Sequence, residues 1–147
     1  MAAADATQAE APKLALRPAY FVMAALAFAA MFVGILGPSL WFLTWVHIMA
    51  GVLWTGIDLL LGFVIGPILR RLPFETRRTV IGQLIPKTMV LMPTLAIITG
   101  TAGYYLAKRT GYLDLGFPEF WWVAAALAIL VVLTVQGLGI LTPINIL

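Results

Sequence analysis

Cysteine is absent from this 147-residue chain, and its absence excludes several kinds of chemistry. Without thiols the protein cannot hold a disulfide, a thiolate metal centre, an iron–sulfur cluster or a covalently attached c-type haem. The chain also has a single histidine, which excludes a metal site built from two histidines of one chain. A cofactor that is held non-covalently by one imidazole remains compatible with the sequence.

Charged residues are also scarce. They make up 10% of the chain, against 63% hydrophobic residues, whereas a soluble domain carries about 25% charged residues. So short a chain cannot bury that much apolar surface in water, so its surroundings are expected to be lipid. The net charge of +3 does not indicate a nucleic-acid partner, because basic loops at membrane ends set topology. Four of the basic residues flank one short loop between apolar segments: Arg70, Arg71, Arg77 and Arg78.

The apolar runs predict an all-α fold, an integral membrane bundle of four transmembrane helices joined by short loops. A crossing needs about 20 apolar residues, and the predicted spans are residues 19–36, 40–69, 88–107 and 120–141. A polar N-terminal tail, residues 1–18, precedes this single transmembrane domain, residues 19–147. Residues 74–87 are amphipathic and basic, which predicts a short interfacial segment that ends at Pro86. The apolar ending at Leu147 is compatible with a longer natural chain.

The distribution of basic residues predicts the orientation. Lys13 and Arg17 lie in the tail, and the arginine-rich loop follows the second span, whereas the loop after the third span is balanced in charge. Cytoplasmic loops carry the excess of lysine and arginine. Both termini are therefore expected in the cytoplasm of a prokaryotic cell, with the protein in its inner (plasma) membrane.

Two ionisable residues inside the second span, His47 and Asp58, are the strongest functional candidates. They are eleven positions apart, almost three helical turns, so both side chains fall on one stripe of the helix. Such groups are costly within a membrane and are functional candidates by default. About 16 Å of helix separates them, which predicts an outer polar layer around His47 and an inner one around Asp58.

Each layer has candidate partners at a matching depth. Met31, Tyr104 and Tyr105 are expected level with His47. Lys87 and Gln136 are expected to form an intramembrane polar cluster with Asp58, since a buried carboxylate needs a cation and hydrogen bonds or else stays protonated. Trp54 lies on the same stripe and could stack on a flat cofactor ring.

The residue types leave several chemistries open. His47 could ligate haem or copper, alone, with Met31, or across a homodimer, or it could be only an interhelical hydrogen-bonding group. Met89 and Met92 lie one turn apart and could bind Cu(I), although methionine in an apolar helix more often packs. Gly100–Gly103 is interpreted as a stretch of small residues for helix packing.

A family resemblance adds to this interpretation. The segment Trp45–Gly56 has a histidine, six residues, a tryptophan and a nearby glycine, and Arg77-Arg78, Ile85-Pro86 and Thr99-Gly100 follow. This pattern, over residues 40–107, resembles the copper-resistance protein D family and a related family of uncharacterised bacterial integral membrane proteins. More remotely it is similar to the HemJ-type protoporphyrinogen oxidases, membrane enzymes that bind haem b. The resemblance implies that His47 is a haem or copper ligand, with Trp54 beside it.

The chain departs from the oxidase pattern in two ways. An additional helix precedes the histidine helix, and the fourth span lacks the histidine and lysine that those oxidases carry late in the chain. Oxidase activity is therefore not carried over, and whether the protein is an enzyme stays open. The expectation is a redox-associated or metal-handling membrane protein with haem b, less readily copper. The alternatives are a non-catalytic accessory subunit of a membrane complex and a small proton or ion transporter, which would need a homo-oligomer.

Overall fold

A computed structural model describes residues 17–136, and this part of the chain is helical and contains no strand. Helix α1 spans Pro18–Leu36 and α2 spans Leu40–Leu59. A π-helical segment, Leu60–Ile65, leads without a break into α3, Gly66–Arg71. Helix α4 spans Phe74–Arg109, a 3₁₀ turn follows at Tyr112–Asp114, and α5 spans Trp121–Thr134.

Three of these helical stretches are long and apolar enough to cross a membrane. They are Pro18–Leu36, the continuous 32-residue stretch Leu40–Arg71, and the 36-residue stretch Phe74–Arg109. The predicted first and second helices are confirmed to within two residues at each end. The fourth predicted helix begins one residue later than expected and is apolar but shorter over its described part, Trp121–Thr134. Its predicted end at residue 141, and most of the predicted tail, lie outside the described residues.

The predicted helix break at Pro86 is wrong. Helix α4 runs through both Pro86 and Pro93, so the predicted interfacial segment and third span are one helix. Each proline removes one backbone hydrogen bond, to the Gly82 carbonyl for Pro86 and to the Met89 carbonyl for Pro93. Threonine hydroxyls that follow the two prolines bond to other, neighbouring carbonyls of the helix. Thr88 Oγ1 donates to the Leu84 and Ile85 carbonyls at 3.2 and 3.1 Å, and Thr94 Oγ1 donates to the Val90 carbonyl at 2.7 Å.

The buried core lies where α1, α2 and α4 meet. Small side chains allow the helices to approach closely: a Cβ atom on Gly34 of α1 would lie 3.3 Å from the Leu43 Cα of α2. Helix α5 packs against α4 outside this three-helix unit. The core consists of Met31, Leu43, Val46, Ala50, Leu95, Ile98 and Ala102.

Leu43 is the largest fully enclosed side chain of this core, with 0% of its surface exposed. Leu43→Ala is expected to lower the free energy of unfolding in detergent by about 2 kcal/mol, near the low end for leucine-to-alanine changes. The low value follows because separated helices would expose this side chain to detergent rather than to water. Leu53→Ala on the same helix is the control, because Leu53 is 48% exposed. Equal losses in the two variants would contradict this assignment of the core.

Candidate functional site

The imidazole of His47 is fixed between α2 and α4 by one hydrogen bond. Its Nδ1 lies 3.0 Å from the Thr99 carbonyl oxygen. A carbonyl can only accept, so Nδ1 carries the hydrogen and donates it. In the neutral ring the lone pair is then on Nε2. This is the arrangement of most metal-bound histidines, whose second ring nitrogen donates to a carbonyl or carboxylate.

Glycine on α4 creates the space for this ring. A Cβ atom at Gly103 would lie 2.7 Å from His47 Cε1 and 3.0 Å from Nδ1. On the facing helix, a Cβ atom at Gly51 would lie 3.4 Å from Thr99 Cγ2. The small residues of α4 are therefore more than packing residues, because the half-buried imidazole lies directly against the α4 backbone.

His47 lines a cavity of about 340 Å³ between α4 and α5. Its wall includes Tyr112, from the turn after α4, and Trp122 of α5, whose rings meet edge to face with centroids 4.9 Å apart. Thr99 also lines it, and the buried Thr99 Oγ1 has no hydrogen-bond partner within residues 17–136. The cavity therefore combines apolar and aromatic walls with one imidazole and one unpaired hydroxyl.

Asp58 lines a second and larger cavity of about 690 Å³, bounded by α2, α4 and α5. The two cavities adjoin, because four residues contribute to the walls of both: Gly100, Tyr104, Leu130 and Leu133. His47 and Asp58 thus line two different, neighbouring cavities. Tyr104, expected level with His47, borders both.

Only some of the predicted partners of His47 and Asp58 line the same cavity as the residue they were expected to accompany. Gln136 lines the larger cavity together with Asp58, whereas Lys87 is not among its lining residues. Trp54 also lines the larger cavity and not the one that contains His47. Met31 is 3% exposed in the three-helix core and lines neither cavity. Of the predicted His47 neighbours, only Tyr104 shares a cavity with it.

Met89 and Met92, the candidate Cu(I) ligands, both line the Asp58 cavity. Within residues 17–136, no group of three or more histidine, cysteine, aspartate or glutamate side chains is placed to hold a metal ion. A group that needs a single protein ligand therefore suits His47 better than a bare ion does.

Arg109 has a role that the sequence did not suggest. At the end of α4, its guanidinium donates to the Gly34 carbonyl at 3.3 Å and to the Ile35 and Gly37 carbonyls at 2.7 and 2.9 Å. The last carbonyls of a helix have no partner within it. Arg109 therefore caps α1 and fixes the end of α4 to it, only a turn and a half beyond Gly103.

Comparisons with family models, with curated proteins and with solved structures find no match for this chain. The resemblance to the copper-resistance protein D group accordingly stays a prediction.

Proposed function

We propose that this protein is a polytopic membrane protein that binds b-type haem through His47 Nε2 and acts in electron transfer or haem handling. The observation that carries the proposal is the hydrogen bond from His47 Nδ1 to the Thr99 carbonyl. It holds the ring in the tautomer with a free Nε2, at the wall of a cavity. The family resemblance supports the same residue.

The surroundings of His47 fit a porphyrin better than copper. A porphyrin supplies its own equatorial nitrogen ligands and can be held by one axial histidine. Copper sites recruit additional imidazole or sulfur ligands from the protein, and the only two methionines placed beside a described cavity, Met89 and Met92, belong to the Asp58 cavity. The cavity volume of about 340 Å³ is near the lower end of the range of roughly 300–1,000 Å³ for small-molecule sites, so a porphyrin held there would be only partly enclosed.

The residues around the cavity have separate tasks in this proposal. The Thr99 carbonyl orients the imidazole. By accepting the Nδ1 hydrogen bond it also makes Nε2 a stronger electron-pair donor to a metal. Tyr112 and Trp122 provide aromatic surface and keep water from the ligated nitrogen. Bound haem would supply one-electron redox chemistry, whose potential depends on the axial ligand, its hydrogen bonding and its burial.

The membrane setting is part of the proposal. Among residues 17–136, three helices have the length and composition to cross a bilayer, and the basic residues at the α3–α4 turn suit its cytoplasmic side. We place both termini in the cytoplasm and the protein in a prokaryotic inner membrane. A homo-oligomer or a partner in a membrane complex would be the route for electrons to or from the site.

An absorbance spectrum of the detergent-purified protein tests this proposal. Wild-type protein, as isolated or after addition of haemin, is expected to show a haem Soret band with a defined stoichiometry. His47→Ala should remove that band, and imidazole added to His47→Gly should restore it. Ile48→Ala is the control, since Ile48 is the next residue and is exposed.

Two results would overturn the proposal. The first is a folded wild-type protein that binds no haemin, and the second is a His47→Ala protein that binds haemin as tightly as wild type does. In the first case, fixed co-purification with another membrane protein would favour the accessory-subunit alternative. Copper retained by wild type and lost in His47→Ala would instead assign the imidazole to that metal.

A further inference from the structure

The Asp58 cavity has an unbalanced charge. Among residues 17–136 its lining includes one carboxylate and no lysine, arginine or histidine. The Asp58 side chain is exposed at the mouth of this cavity and has no hydrogen-bond or ion-pair partner among residues 17–136. Along its own helix the nearest basic side chains are His47, about 16 Å away, and Arg70, about 18 Å away along the axis. Residues 17–136 therefore present a carboxylate to this cavity without lining it with a counter-ion, and Lys87, although it lies between the lining residues Ile85 and Thr88, is not part of the lining.

Asp58 also lies at a costly depth. The continuous helical stretch Leu40–Arg71 has its midpoint between residues 55 and 56, so Asp58 is only about 4 Å from the middle along the axis. A charge at the centre of a membrane helix carries a high cost and marks a binding site or an ion path. A ligand of opposite charge would remove that cost.

Three irregularities of the helices border the same cavity. The π-helical segment Leu60–Ile65 begins two residues after Asp58, and its Leu61 lines the cavity. Pro93 of α4 also lines it and leaves the Met89 carbonyl without its usual helical donor. Helix α5 changes to π-helical geometry at residues 135–136, and Gln136 lines the cavity. Such interruptions are frequent at functional sites and expose oxygen acceptors that stabilise a cation.

The remaining walls suit an organic cation rather than a bare metal ion. Trp54 and Tyr104 contribute aromatic rings, whose faces attract cations most strongly where water is excluded. Met89 and Met92 contribute flexible, polarizable side chains that adapt to ligands of irregular shape. The volume of about 690 Å³ matches a drug-sized molecule.

We propose that this cavity binds a lipophilic organic cation or protonated amine, with the Asp58 carboxylate as its counter-ion and Trp54 and Tyr104 as its aromatic walls. The ligand is amphiphilic, because the cavity is open along apolar helices and has its single charge near mid-depth. The site is independent of His47, which does not line it. Failure of haem binding would therefore leave this inference intact.

Binding of tetraphenylphosphonium to the full-length protein in detergent tests the inference, by equilibrium dialysis against protein-free micelles. Wild-type protein is expected to bind this cation saturably. Tetraphenylborate has almost the same size and shape with the opposite charge, and its retention should not exceed that of micelles alone. Equal binding of the two ions would show an apolar cavity without charge selection, filled by lipid or detergent, and would overturn the inference.

Substitutions at Asp58 then test whether its carboxylate is the group that attracts the cation. Asp58→Asn should weaken tetraphenylphosphonium binding at least about tenfold, because it removes the one opposite charge that the described cavity lining offers in a low-dielectric membrane setting, whereas Asp58→Glu should retain most of the affinity. Glu75→Gln is the matched control, since Glu75 lies in the first turn of α4 and outside the cavity. Undiminished binding by a folded Asp58→Asn protein would contradict the proposal. If that variant does not fold, the comparison of the two ions on wild type still decides it.

Discussion

Gly103→Ala is expected to disable the His47 site although it leaves the imidazole itself in the chain. The added methyl group would lie 2.7 Å from His47 Cε1, so either the ring or the α4 backbone must move. The backbone is held by Ala102, at 0% exposure, and by Ile98, at 2%. The ring therefore moves and loses its hydrogen bond to the Thr99 carbonyl. Haem affinity should fall at least about tenfold, the effect typical of losing such an orienting bond.

A second measurement detects the displacement of the His47 ring without using haem. The chain has one histidine, so the rate of modification by diethyl pyrocarbonate reports on a single imidazole. We expect this rate to change in Gly103→Ala and not in Gly56→Ala. Gly56 is also a helical glycine, but a Cβ atom there meets nothing within 4 Å, so alanine should stabilise its helix by about 0.5–1 kcal/mol. If both variants keep the wild-type rate and haem affinity, the close contact between Gly103 and His47 is refuted.

The fold was largely predictable because long apolar runs allow few structures. Helix α1, Pro18–Leu36, and the continuous stretch from the start of α2 to the end of α3, Leu40–Arg71, begin and end close to the predicted residues, where turn residues and arginines mark the limits. Pro86 misled the prediction because an isolated proline is a helix breaker in water. Inside α4, packing against α1 and α2 outweighs the lost hydrogen bond.

The separation of His47 and Asp58 along the helix was predictable, but their neighbours were not. Eleven residues of helix necessarily separate His47 from Asp58, and the structure places them in separate cavities. Which side chains meet them depends on how the helices cross and rotate, and single-helix periodicity contains no such information. Hence Met31, level with His47 by counting, lies in the core, and the Thr99 carbonyl is the actual partner. The closely spaced Thr99, Gly100 and Gly103 were the available signal, because small residues mark close helix contacts.

Arg109→Ala is expected to lower the free energy of unfolding by about 3 kcal/mol. The guanidinium makes three hydrogen bonds to carbonyls at the end of α1, each contributing about 1 kcal/mol at an exposed site. It also opposes the negative end of the α1 dipole. Unfolding in mixed detergent micelles, followed by tryptophan fluorescence, measures the change. If Arg109→Ala has reduced stability but a normal haem spectrum, the arginine stabilises the end of α1 and does not contribute to the His47 site.

Lys108→Ala is the control that distinguishes the loss of the α1 cap from the loss of one positive charge. Lys108 precedes Arg109, is also exposed, and shares the last turn of α4, so its removal changes the net charge equally. Its effect should stay within about 0.5 kcal/mol, as for other surface substitutions. Arg109→Lys should recover only part of the stability, because an ammonium group lacks the planar fork that reaches several carbonyls at once. Equal effects of Lys108→Ala and Arg109→Ala would mean that charge, rather than capping of α1, is what Arg109 contributes.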